Sequence, residues 1–192
     1  MPIALIIIDM QNAFFIGSFV KRGFELLNKE QIIENTKNIL AYARERKWLI
    51  VFTKMQFASD YSDAGLLVKK FPEIIQLHAY QGKDAEIINE LKPKLNEIVI
   101  AKKQYDSFYN TKLEHVLQEK KIDKIVIAGV LTNVCVESTV RSAFEKGFEI
   151  EVISDATTTY DKELKNASLK TIEKHFGSII TIDKLLTPAR TQ

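Results

Sequence analysis

The sequence predicts an α/β fold in which helices cover both faces of a mainly parallel sheet. Three observations carry this expectation. Six short runs rich in Ile and Val recur along the chain, and longer segments with helical spacing separate them. Most of the runs are also apolar at successive positions instead of alternate ones. A strand with one wet face alternates apolar and polar residues, so an uninterrupted apolar run needs cover on both sides, as crossover helices give a parallel sheet.

The elements follow in order. "IALIIID" (3–9) is the first strand, and "QNAFFIGSFVKRGFELLN" (11–28) after it has no clear period. "KEQIIENTKNILAYARER" places Ile32, Thr36, Ile39 and Ala43 on one helical face, with Ile33 and Leu40 beside them. "WLIVFT" (48–53) is the second strand, followed by a long irregular stretch over 54–82. "DAEIINELKP" groups Ile87, Ile88 and Leu91 as a helix that Pro93 stops.

"EIVIAK" (97–102) is the third strand, and "TKLEHVLQEKK" a helix on Leu113, Val116 and Leu117 whose closing lysines suit a C-terminus. "KIVIAG" (124–129) is the fourth strand. "NVCVESTVRSAFEKG" then groups Val136, Val140, Ala143 and Phe144, pairs Glu137 with Arg141 at i,i+4, and ends on Gly147 as a cap. "FEIEVIS" (148–154) is the fifth strand. "DKELKNASLKTIEKHFG" opens on acids and closes on Gly177, and "SIITI" (178–182) is the last strand. No repeat, low-complexity tract or linker interrupts the pattern, so residues 1–192 are expected to form a single domain.

The totals exclude several function classes. Basic and acidic side chains number 27 and 25, a net charge of +2, and no stripe interleaves basic residues with aromatics, so nucleic acid is not an expected partner. The apolar N-terminal run stops at Asp9, far short of the ~20 residues that span a bilayer, so no membrane association is expected. One cysteine cannot form an internal disulfide, and a cytoplasmic location is the expectation. His78, His115 and His175 lack ligand-spaced partners, and the phosphate-loop, dinucleotide and serine-elbow motifs are missing; no metal and no cofactor are expected.

Three reactive side chains occupy equivalent places. Asp9 ends the first strand, Lys102 ends the third, and Cys135 lies just past the fourth. Right-handed crossovers open all strand C-termini on one edge of such a sheet, where ligands bind. Thr132 or Asn133 is a natural N-cap, which sets Cys135 in a first helical turn whose dipole and free N–H groups favour a thiolate. The same N–H groups could hold an oxyanion. Pattern alone leaves alternatives open: a cysteine packed under the helix, an aspartate capping a loop, and a solvated Lys102–Lys103 pair. Phe14, Phe15, Phe57, Tyr61 and Phe71 in the irregular stretches could line a pocket or simply pack.

Together, "IALIIIDMQNAF", "EIVIAKKQYDSFYNTKLEHVL" and "IDKIVIAGVLTNVCVESTVRSAFEKGFEIEVISDATTT" resemble the isochorismatase-like cysteine hydrolases, which include nicotinamidases and N-carbamoylsarcosine amidases. The block G-V-x-T-N-V-C-V after a strand is the most specific match. The resemblance implies a three-layer α/β/α sandwich, Rossmann-like, around a six-stranded sheet. It also implies an Asp9–Lys102–Cys135 triad, Lys102 being preferred to Lys103 because it lies six residues before Phe108. It further implies a cis peptide between Val130 and Leu131, an oxyanion hole from the N–H groups of Leu131 and Cys135, and Phe14 as a substrate-binding aromatic. A small-molecule substrate and a homo-oligomer, dimer or larger, follow from the same resemblance.

The implied reaction is hydrolysis of a C–N bond in a small amide, ureide or carbamoyl compound through a Cys thioester. Departures from the family pattern bear on substrate. "TKMQFASD" lacks the Asp-x-His metal motif that nicotinamidases carry after the second strand, Ala13 replaces a common Asp, and "DSF" stands for "SAF". Two alternatives are vinyl-ether hydrolysis of an isochorismate-like acid by Asp9 without the cysteine, and an idle binding or assembly protein of the same fold. Isochorismatases proper typically have glycine where this chain has Cys135.

Overall fold

The computed structural model describes residues 1–187, so residues 188–192 of the expected domain lie outside the described residues. Six strands form one sheet: β1 (Ile3–Ile8), β2 (Leu49–Met55), β3 (Ile98–Lys102), β4 (Lys124–Val130), β5 (Glu149–Thr158) and β6 (Ser178–Ile180). Their order is β3-β2-β1-β4-β5-β6, and every neighbouring pair is parallel. The helices are α1 (Asn12–Phe15), α2 (Ser18–Lys21), α3 (Lys29–Glu45), α4 (Leu66–Lys70), α5 (Glu73–Gln76), α6 (Leu113–Glu119), α7 (Glu137–Glu145), α8 (Lys162–His175) and α9 (Ile182–Leu186).

The apolar runs are explained by cover on both faces. In β1, Leu5 and Ile7 join the cluster containing Ile32, Ile39, Leu40 and Ala43 of α3. Ala4, Ile6 and Ile8 point the other way, toward Leu113 and Leu117 of α6, Val140 and Ala143 of α7, and Ile172 of α8. Successive side chains of a strand leave on opposite faces, so a central strand between two helix layers has no place for a polar residue. The result is a three-layer α/β/α sandwich. No helix among the described residues is long and apolar enough to cross a membrane.

Two expected elements differ. Residues 84–93 form no α-helix: 3₁₀ turns at Gly82–Ala85 and Asn89–Leu91 flank an extended segment in which Ile87 pairs with Gln11 in an isolated antiparallel bridge. Tertiary hydrogen bonds override the local helical spacing there, with Asn12 N–H donating to Glu86 O and Ile88 N–H to Met10 O. At the chain's end, β6 stops at Ile180 and α9 begins at Ile182, where the Ile182 N–H donates to Asp155 Oδ1 at 2.9 Å.

The strand C-termini carry the site. Gly129 sits in β4 against Ile8 of β1 with φ +123°, and a Cβ there would collide with the Ile8 carbonyl. Glycine lets β4 press against the end of β1, so the turn after β4 starts beside Asp9.

Candidate active site

Asp9 follows β1 in the left-handed region, φ 52°, with its N–H donating to Thr53 O at 3.1 Å. Its carboxylate is fully buried. Thr53 Oγ1 of β2 donates to Asp9 Oδ1 at 2.8 Å, and Lys102 Nζ, from the end of β3, stands 2.7 Å from Asp9 Oδ2. The Lys102 ammonium donates to the carbonyls of Gln104 and Tyr105, each at 3.0 Å, and approaches Met55 Sδ at 3.3 Å. The ammonium is thus shared among these three atoms and Asp9 Oδ2. One carboxylate oxygen is held, and the other keeps a lone pair free to take a proton. Lys103 points elsewhere, pairing with Asp63 at 2.6 Å.

Cys135 reaches the same place from a different structure. The Val130–Leu131 peptide is cis, and Thr132–Val136 form a π turn before α7 begins at Glu137. Val134 and Val136 N–H both donate to Leu131 O. Neither Thr132 nor Asn133 is the cap that the sequence suggests: Leu131 holds that position, and Thr132 Oγ1 instead hydrogen-bonds Thr157 Oγ1 of β5 at 2.9 Å. Ser168 of α8 donates to Thr132 O at 3.2 Å, so the turn is tied to β5 and α8 together.

Asp9 and Lys102 both act on the thiol. Burial pushes Cys135 up to about 12; Lys102 pulls against this and Asp9 adds to it. The thiolate expected at a helix N-terminus is therefore not the resting species. The cause is the near-complete burial of the sulfur, 4% exposed, beside a carboxylate. Burial alone would lower Lys102, but Asp9 and then Cys135 hold it above its ordinary value. Lys102 is thereby held as a cation beside a neutral thiol.

Above this group lies a cavity of about 270 Å³ lined by Cys135 and Leu131, by Phe14, Phe19, Phe24 and Phe71, and by three tyrosines, Tyr80, Tyr105 and Tyr160. A larger concavity of about 500 Å³ near Met1, Trp48 and Lys120 contains no cysteine, serine or threonine and lies away from Asp9, Lys102 and Cys135.

The isochorismatase domain profile matches residues 3–184 of the chain. The chain belongs to the isochorismatase family. Ureidoacrylate amidohydrolase RutB of Variovorax paradoxus is 33% identical over 197 residues, covering 94% of this chain and 78% of the relative. RutB of Cronobacter turicensis is 34% identical over 206 residues, covering 97% and 89%. Among solved structures, a cysteine hydrolase from Pseudomonas syringae pv. phaseolicola superposes with a TM-score of 0.87 at 26% identity, over 95% of this chain and 90% of that one. The chain is an isochorismatase-family hydrolase.

In this hydrolase the residues singled out from sequence divide clearly. Asp9, Lys102, Cys135, Leu131 and Phe14 meet at one cavity and its floor. Phe71 also lines it, whereas Phe15, Phe57 and Tyr61 are core side chains behind the wall. Phe19, Phe24, Tyr80, Tyr105 and Tyr160 were not singled out, because an aromatic in an unstructured-looking stretch carries no period to aim it.

Gln11 and Asp84 also escaped sequence reasoning. Gln11, fully buried, donates to Met55 O at 2.8 Å and Ala85 O at 2.9 Å and accepts from Met55 N–H at 2.7 Å. Asp84 accepts from Ser18 N–H, Ser18 Oγ and Tyr80 N–H at 2.8, 2.9 and 2.8 Å. A metal does not fit where nicotinamidases carry their motif. Asp63 there is engaged by Lys103 and Ala58 N–H, and Asp60 by Ser62. No cluster of three or more His, Cys, Asp and Glu suited to a metal occurs among the described residues.

Proposed function

We propose that this hydrolase cleaves a C–N bond of a small amide, ureide or carbamoyl compound through a thioester on Cys135. The observation that carries the reading is the fully buried Asp9–Lys102 pair at 2.7 Å, acting on a cysteine that lines a cavity. The relatives' names, ureidoacrylate amidohydrolase, support the bond type, since a ureido group presents such a C–N bond.

Asp9 Oδ2 takes the thiol proton as Sγ forms its bond to the carbonyl carbon, because burial disfavours a standing thiolate. The carbonyl electron pair moves onto oxygen, which the N–H groups of Leu131 and Cys135 receive. Collapse of the tetrahedral adduct breaks the C–N bond, and the departing nitrogen takes the proton from Asp9. Water then attacks the thioester while Asp9 accepts its proton. Sγ leaves and recovers that proton, and the carboxylic or carbamic acid departs. Lys102, 2.7 Å from Asp9 Oδ2, holds the carboxylate in place beside the sulfur, and Phe14 packs against the substrate.

The test is ammonia release from small amides and ureides by wild type and Cys135→Ala. Turnover lost only in the variant supports the scheme. Retained cleavage of an isochorismate-like vinyl ether by Cys135→Ala would replace it with Asp9 chemistry, and no turnover by wild type would favour the idle reading.

A further inference from the structure

We infer that the substrate carries an apolar, ring-sized group without negative charge, so that this cavity selects neutral or cationic amides over carboxylates. The inference rests on the amidase reading and departs from the relatives' names at the acrylate carboxylate. It starts from the walls. Phe14 stacks on Phe19 with centroids 5.2 Å apart, Phe19 meets Tyr80 at 5.3 Å and Phe24 at 6.3 Å, and Phe24 meets Tyr160 at 5.5 Å. This continuous aromatic band suits a planar apolar group by burial and by offset or edge contacts between rings.

Charge decides against an anion. Among the described residues lining the cavity, Glu73 carries the only formal charge, and it is negative. Lys102 does not line the cavity, is already paired with Asp9, and donates to the carbonyls of Gln104 and Tyr105. A substrate carboxylate would therefore leave water for apolar walls with no cation to meet it. It would also stand near Glu73 and near the oxyanion that forms during attack, in surroundings of low dielectric. The aromatic faces attract a cation and repel an anion for the same reason. One polar handle is Tyr160, which lines the cavity and whose buried hydroxyl makes no hydrogen bond within the protein. A hydroxyl can donate to a neutral amide oxygen or accept from its N–H.

Benzamide, benzoate and benzamidine are close in shape and are neutral, anionic and cationic at neutral pH. Calorimetric titration of Cys135→Ala, which keeps the cavity without turnover, should give benzamide and benzamidine at least about tenfold tighter binding than benzoate. Glu73→Lys should narrow or invert that ratio. Benzoate binding as tightly as benzamide, or no binding of any of the three at millimolar concentration, would overturn the inference. Steady-state assays on wild type separate this from the amidase reading. Ureidoacrylate cleavage with kcat/KM above that for benzamide, lost in Cys135→Ala, would keep the amidase and remove the selectivity. Selective benzamide binding without turnover of any amide would do the reverse.

Discussion

The floor of the cavity stands on the ends of β1, β2 and β3, where ladder hydrogen bonds fix Asp9, Thr53 and Lys102, whereas its walls stand on one-turn helices and the loops between them. Phe14 and Phe19 belong to four-residue helices, too short to hold a shape without tertiary support. That support is concentrated in Gln11, which joins β1 and β2 to the segment before Ile87, and in Asp84, which joins Ser18 to Tyr80. Gly17 belongs to the same knot, since a Cβ there would collide with the Asp84 carboxylate. Chemistry is thereby placed on the rigid part of the fold and recognition on the part that can be rebuilt. Changes to the floor should abolish reaction, and changes to the walls should alter affinity.

The sharpest break in that contrast is Cys135→Ala. It should lower kcat/KM about a thousandfold or more while the thermal midpoint stays close to wild type, as measured by ammonia release and calorimetry. Lys102→Met comes next. It strands the Asp9 carboxylate in the core, and breaking a buried pair in this way costs about 3–5 kcal/mol, read as a fall in the urea midpoint together with lost turnover. Asp84→Ala acts on the walls: with three hydrogen bonds gone, stability should drop by about 1–3 kcal/mol and KM should rise more than kcat falls. An equal fall in kcat and kcat/KM would place Asp84 with the floor.

The smallest effect is on alkaline stability. The folded chain keeps its Cys135 proton up to about 12, above the ordinary 9.0, so above pH 9 the unfolded chain binds fewer protons and stability falls as pH rises through that window. Lys102, held above its ordinary 10.5, contributes stability present below that value and lost as pH climbs past its folded value. Both act in one direction. In Cys135→Ala the decline above pH 9 should be shallower, measured as chemical-denaturation midpoints across the range.

The same contrast explains what could be read from the chain. Strand runs such as "IALIIID" and "KIVIAG" state their environment locally, because burial on both faces demands apolar residues at every position, and a reactive group at the end of such a run is conspicuous. Asp9 was legible for that reason, whereas the choice of Lys102 over Lys103 came from the family spacing to Phe108. Ile87, Ile88 and Leu91 have helical spacing, yet Asn12, Met10 and Gln11 claim that backbone from more than seventy residues away, which no local period records. Thr132 has the chemistry of a cap, but Thr157 takes its hydroxyl. Gly177 closes its helix as the sequence suggests, its N–H donating to Ile172 O, and also lets the chain pass close to Ile150, which no local pattern records.

The direct test of the central claim is intact-protein and peptide mass spectrometry of wild type quenched in acid during turnover of an amide substrate. An acyl adduct on the peptide containing Cys135, absent from Cys135→Ala, is the predicted result. Steady turnover with no adduct on that peptide, and undiminished in Cys135→Ala, would contradict it.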